Sequence, residues 1–156
     1  MENRNEQNTW NFLYMIFYML VFIVMLFWLQ KVNGDLPRRI PTFDLILILL
    51  ATFRLIRLFV YDKVTRWLRD AFDGYTSGPF KTMYDLLNCP WCLGLWIGTV
   101  VVFFYFLIPG IVWLPILVLA IAGVASVLQL TANLIGWGAE QRKMICVQME
   151  RERGDQ

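Results

Sequence analysis

The sequence contains no histidine at all. That removes the commonest general base and the commonest metal ligand together, and with them the usual parts of hydrolytic and metal chemistry. Cysteine is scarce, three in 156 residues, and an odd count without a secretion signal points away from a disulfide framework. Net charge is only +2, so the charge balance makes no case for nucleic acid as a partner. The most informative absence is local. From Leu86 to Ala139 there is not one charged side chain. A water-soluble domain of this size has no core able to bury such a run, whereas a bilayer takes about 20 apolar helical residues per crossing.

The apolar content is organised into spans. Ile108-Pro109-Gly110-Ile111 breaks the long run near its middle, which predicts two antiparallel membrane helices at about 90–108 and 113–135. Trp10 to Leu29 is a third charge-free stretch; it exceeds a signal-peptide core and has no small-residue cleavage site after it, so it reads as retained. Thr42 to Tyr61 is also of spanning length but carries Asp44, Arg54 and Arg57, so an interfacial placement competes with a crossing. With four crossings, nine of the fourteen basic residues (Arg4, Lys63, Arg66, Arg69, Lys81, Arg142, Lys143, Arg151 and Arg153) share one side, against Lys31, Arg38 and Arg39 on the other. That bias places both termini in the cytoplasm of a multi-pass cell-membrane protein.

The expectation is therefore an all-α membrane protein, a single membrane domain over 1–156 with four transmembrane helices at about 10–29, 42–61, 90–108 and 113–135. Residues 1–9 are polar and read as loose, and Gln30 to Pro41 reads as a turn-rich loop. The Thr42 hydroxyl is placed to cap the second helix. Between the second and third spans a short interfacial amphipathic helix is predicted at about 62–72. Val64, Trp67, Leu68, Ala71 and Phe72 lie on one side of it and Lys63, Arg66 and Arg69 on the other. A charged cytoplasmic tail occupies 140–156. The tryptophans fall mostly near predicted helix ends, as an interfacial belt does.

Four constellations are candidates for function. Cys89-Pro90-Trp91-Cys92 opens the third span; a cysteine at a helix N-terminus has its thiolate favoured, and Cys-x-x-Cys is half of a tetrahedral metal site. No cofactor is otherwise implied, and a metal at Cys89 and Cys92 requires a second chain or Cys146 to add sulfur. The alternative is that both thiols simply pack a helix start. Arg54 and Arg57 are intramembrane charges, costing about 2.5 to 3.5 kcal/mol each on insertion scales, and so need a partner, a wet cavity or the interface. Asp62, Asp85 and Glu140 are the carboxylates in range. On the fourth helix Ala122, Ser126, Gln129, Asn133, Gly136 and Glu140 share one face, a polar stripe that either packs on another helix or lines water. Gly94 and Gly98 form a Gly-x-x-x-Gly surface suited to close helix packing.

The segment Cys89-Pro-Trp-Cys-Leu-Gly-Leu-Trp96 resembles the signature of a bacterial integral membrane protein family of unknown function, number 1360 among such families, with sporulation-associated and phage members. Ala51-Thr-Phe-Arg54-Leu-Ile-Arg57-Leu with Tyr61-Asp62-Lys63, and Ala122-Gly-Val-Ala125-Ser126, are similar to its other shared segments. The resemblance covers roughly 43–135. It implies a multi-span bacterial protein and supplies no activity.

No base, nucleophile and oxyanion site can be assembled from these residues, so the chain reads as non-enzymatic. The first expectation is a small membrane protein that self-associates as a homo-oligomer, forming a channel or a scaffold, with membrane lipid as its other partner. The alternatives are a thiol or metal protein built on Cys89 and Cys92, serving as redox sensor or inter-subunit clamp, and an adaptor recruiting a cytoplasmic partner.

Overall fold

The computed structural model describes residues 2–34 and 39–154, with side chains for 5–34 and 39–146. Arg38 and the side chains of Arg4, Arg151 and Arg153, counted in the charge bias above, lie outside that set. The described chain is helical throughout: α1 (Glu2–Asn33), α2 (Thr42–Val60), a 3-10 turn at Lys63–Thr65, α3 (Arg66–Asp70), α4 (Pro79–Asn88), α5 (Pro90–Leu107) and α6 (Pro109–Gly154). Proline opens α4, α5 and α6, at the one helical position where its missing N–H costs nothing. Three helical stretches, Asn5–Asn33, Pro90–Leu107 and Pro109–Cys146, are long and apolar enough to cross a membrane. α2 is not among them, because its 19 residues include Asp44, Arg54 and Arg57.

Several boundaries differ from the expectation. Residues 2–9 are not loose but form the first turns of α1. α2 begins after Pro41, and no side chain caps it, so the Thr42 hydroxyl has no capping role. The stretch expected as an amphipathic helix at 62–72 is a 3-10 turn followed by five α-helical residues. The reason lies at the end of α2. Thr65 donates its hydroxyl proton to the Leu58 carbonyl, and Arg69 donates to the Phe59 and Asp62 carbonyls. These side chains fold back to satisfy the last carbonyls of α2, and that bends the chain away from a continuous helix. The break between α5 and α6 is a single residue, Ile108, and α6 then runs 46 residues without interruption through Pro115. At about 1.5 Å per residue it is about 69 Å long.

α2 is the centre of the bundle. Its Leu47, Ile48 and Ala51 are buried together with Val101 of α5 and Ile116 and Ala120 of α6. Close approach explains the small residues. A methyl group added at Gly94 lands 3.0 Å from Ile56, and one at Gly98 lands 3.8 Å from Thr52, so the Gly-x-x-x-Gly surface of α5 is covered by α2 of the same chain. At Gly123 an added methyl would lie 2.6 Å from the Leu50 carbonyl oxygen, so here α6 rides directly on the backbone of α2. α1 is the outlying member, with Leu29 its one buried residue among the described side chains.

Contacts fix the helix directions. Tyr18 meets Thr99 and Trp96, and Asn33 donates to the Phe106 carbonyl, so α1 and α5 run the same way. Ile56 lies over Gly94 while Tyr105 donates to Asp44, so α2 opposes α5. α6 leaves from the Tyr105 end and reaches Leu50 by Gly123, so it runs with α2. The four long helices therefore alternate.

The glycine contacts yield a test. Gly123→Ala must push two backbones apart and is expected to cost about 1 to 3 kcal/mol. Gly136→Ala and Gly138→Ala, whose added methyls meet nothing within 4 Å, are expected to raise stability by up to about 1 kcal/mol through helix propensity. Unfolding in detergent compares the three; equal effects would contradict the packing.

Candidate functional site

Three places gather the side chains that matter, and the first is the lower end of α2. Arg54 reaches Asp62 at 3.0 Å, with both side chains about a quarter exposed, so of the three carboxylates in range Asp62 is the partner. Arg57 has its guanidinium 5.6 Å from the centre of the Tyr61 ring. Its Nε is buried without a hydrogen-bond partner among the described residues. At the upper end Asp44 accepts from the Tyr105 hydroxyl. Nothing in the sequence linked Tyr105 to Asp44, which lie 61 positions apart.

The second place is the start of α5. The residues between Leu87 and Pro90 carry the chain from α4 into α5 with Cys89 extended at the N-cap, so its Sγ accepts the Cys92 amide N–H at 3.3 Å. The two sulfurs are 2.7 Å apart and both thiols are free. Hydrogen bonds from the Cys92 thiol and then the Cys92 backbone N–H hold the Cys89 thiol below its ordinary pKa. The pair opens on a groove of about 520 Å³ between α1, α4 and α5, lined also by Tyr14, Tyr18, Trp96, Asn11 and Asp85. Cys146 is exposed on α6, and among the described residues no three His, Cys, Asp or Glu side chains converge as a metal site would need. Among the described residues one chain thus brings two sulfurs and no third ligand.

Beside the groove α1 and α4 are tied by a polar network that the sequence did not reveal. Gln7 Nε2 donates to Thr82 Oγ1 at 2.8 Å, Thr82 donates to Asn11 Oδ1 at 3.0 Å, and Gly78 N donates to Gln7 Oε1 at 3.2 Å. Gly78 has φ of 92°, which places its N–H toward α1 and lets Pro79 start α4. Higher up, Thr99 gives its proton to the Leu95 carbonyl, so in the 2.8 Å contact with Tyr18 the tyrosine is the donor.

The third place is the second half of α6. Ser126 donates to the Ala122 carbonyl at 2.8 Å, and Gln129 Nε2 donates to Asn133 Oδ1 at 3.0 Å. From Val124 to Cys146 every residue but Ser126 and Gly138 is exposed, including Leu128, Leu134 and Ile135. Among the described residues the stripe therefore does not meet another helix beyond Ser126.

These features define an all-helical protein with three helices fit to cross a membrane and a charged fourth one packed among them. The chain belongs to the family described as "Protein of unknown function (DUF1360)", which it matches over residues 47–132. It is 32% identical over 103 residues to the UPF0713 protein YngL of Bacillus subtilis (strain 168), covering 58% of this chain and 79% of YngL. It is also 32% identical over 102 residues to the Sporulation protein YjcA of the same organism, covering 54% of this chain and 86% of YjcA. No solved structure matches it. The family match spans the α2 core, both cysteines and Gln129, and leaves α1 outside.

The Arg54–Asp62 pair sits between the exposed and buried regimes, so a double-mutant cycle of Arg54→Ala and Asp62→Asn is expected to give a coupling of about 1 to 2 kcal/mol in unfolding. A coupling indistinguishable from zero would mean that Arg54 takes its stabilisation from elsewhere.

Proposed function

We propose that the protein is a four-pass membrane scaffold that self-associates through the second half of α6, with both termini in the cytoplasm. The alternating helix directions support four crossings. So does the pairing of the α2 charges within the bundle, since a charge matched by protein avoids most of its cost in lipid. The basic residues gathered at the end shared by α3, α4 and the termini support the orientation.

The observation that carries self-association is the exposed amide pair Gln129–Asn133 on a helix surface that packs on nothing among the described residues. Facing lipid, these amides have only each other. Facing the same surface of a second copy, they gain hydrogen bonds across the interface, while Ala122, Ser126 and Gly136 allow close backbone approach. Membrane lipid and further copies of the chain are its partners, and nucleic acid has no role. The work done is structural rather than catalytic.

A scaffold is favoured over a channel because the stripe is incomplete. Pro109 to Ile121, the other half of the crossing, carries no polar side chain except the Trp113 indole, so an inward-facing ring of these helices would leave one leaflet without a wet path.

The test is the subunit count by native mass spectrometry in mild detergent. The wild-type chain is expected to be oligomeric. Gln129→Ala with Asn133→Ala is expected to weaken association about tenfold, in line with roughly 1 to 2 kcal/mol for interhelical hydrogen bonds. A wild-type monomer at all concentrations would remove the proposal.

A further inference from the structure

The groove beside Cys89 and Cys92 has a composition that self-association leaves unexplained. Two free thiols 2.7 Å apart form one wall. Tyr14, Tyr18 and Trp96 supply flat aromatic faces and Met15 and Leu95 an apolar floor. Two hydrogen-bond donors are unoccupied at the same place. Asn11 accepts through Oδ1 from Gln7 and Thr82, while its Nδ2 donates to nothing among the described residues. Tyr14, unlike Tyr18, has its hydroxyl free of any partner among them. At about 520 Å³ the space suits a small molecule. It lies between α1 and α5, two helices fit to cross a membrane, so the bilayer placement proposed above opens it to lipid-soluble molecules.

A lipid acyl chain would fill the apolar floor but would use neither the donors nor the thiols. A flat ring with two carbonyl acceptors and an apolar tail uses all three. We propose that Cys89 and Cys92 are a dithiol–disulfide couple whose electron acceptor is a lipid-soluble quinone seated in this groove, with Asn11 Nδ2 and Tyr14 Oη donating to a quinone carbonyl. The reaction balances within the site. The Cys89 thiolate adds to a ring carbon of the quinone, forming a carbon–sulfur bond. The Cys92 thiolate then attacks Cys89 Sγ, the sulfur–sulfur bond forms, and the carbon–sulfur bond breaks with its electron pair returning to the ring. The two thiol protons finish on the two ring oxygens, so one dithiol and one quinone become one disulfide and one quinol. The couple reports the oxidation state of the quinone pool and requires no turnover. It rests on the bilayer placement proposed above and is independent of self-association, which the subunit count tests separately.

The experiment uses the full chain in nanodiscs, reduced, desalted and kept anaerobic, with decyl-ubiquinone as the probe. Quinol formation is followed by absorbance, and remaining thiols are mapped by maleimide mass tagging. One quinol per chain is expected, with loss of labelling at Cys89 and Cys92 and retention at Cys146. The paired change Asn11→Asp, which keeps an Oδ1 acceptor for Gln7 and Thr82 while removing the Nδ2 donor, and Tyr14→Phe is expected to slow the quinone reaction about tenfold, as the loss of one or two hydrogen bonds would. Oxidation of the same variant by water-soluble diamide is expected to be unchanged, which shows the dithiol intact, and an unchanged detergent unfolding transition shows the fold intact. The proposal is overturned by any of three results: no quinol, quinol without loss of the two thiols, or a paired variant that reacts with quinone at the wild-type rate.

Discussion

Everything in this bundle depends on how α2 hides its charges. A helix with one carboxylate and two guanidiniums in 19 residues is a poor solute for hydrocarbon. It becomes a good centre once neighbours supply partners: Tyr105 of α5 for Asp44, Asp62 just beyond its end for Arg54, and the Tyr61 ring for Arg57. α5 and α6 approach it closely because glycine faces it from both sides, Gly94 and Gly98 on one and Gly123 on the other. Charge pairing and close packing thus act on the same helix. Apolar burial alone would do little to order three such helices, since lipid is as apolar as leucine.

The same arrangement separates two working surfaces. α1 is held to the bundle at a few points, Tyr18 on Thr99, Asn33 on Phe106 and Gln7 on Thr82. That loose seating leaves the groove beside the cysteines. α6 leaves the bundle after Gly123 and carries its polar face away from every other helix of the chain. The groove and the α6 face lie on different helices, so occupancy of one does not block the other.

Much of the helix layout was legible in the sequence. The charge-free runs marked α1, α5 and the first part of α6; both ends of α5 fall within a residue of the expected 90–108, whereas α6 starts at Pro109, four residues before the expected 113, because proline is tolerated in a helix's first turn. What was not legible has physical causes. The 3-10 turn after α2 arises because Thr65 and Arg69 reach back seven to ten residues to backbone carbonyls, a contact with no periodic signature. The helical N-terminus follows from Gln7 and Asn11 finding Thr82, 75 and 71 positions away. At the site, Asp62 was one of three carboxylates named for Arg54, and geometry selects it. The Gly-x-x-x-Gly spacing suits a contact between subunits and one within a chain alike, and Thr52 and Ile56 occupy it from within. Gly123, the closest approach among the described glycines, carries no signature in the sequence, because only the position of Leu50 makes it special.

The central claim is that α2 crosses the bilayer at the heart of the bundle. Single cysteines placed at Gly34, Ser77 and Gln141 in a background of Cys89→Ser, Cys92→Ser and Cys146→Ser test it by labelling intact cells with a membrane-impermeant maleimide. The account predicts that the cysteine at position 34 labels from outside, while those at 77 and 141 label only after the membrane is opened. If positions 34 and 77 label from the same side, α2 does not cross and the arrangement is wrong.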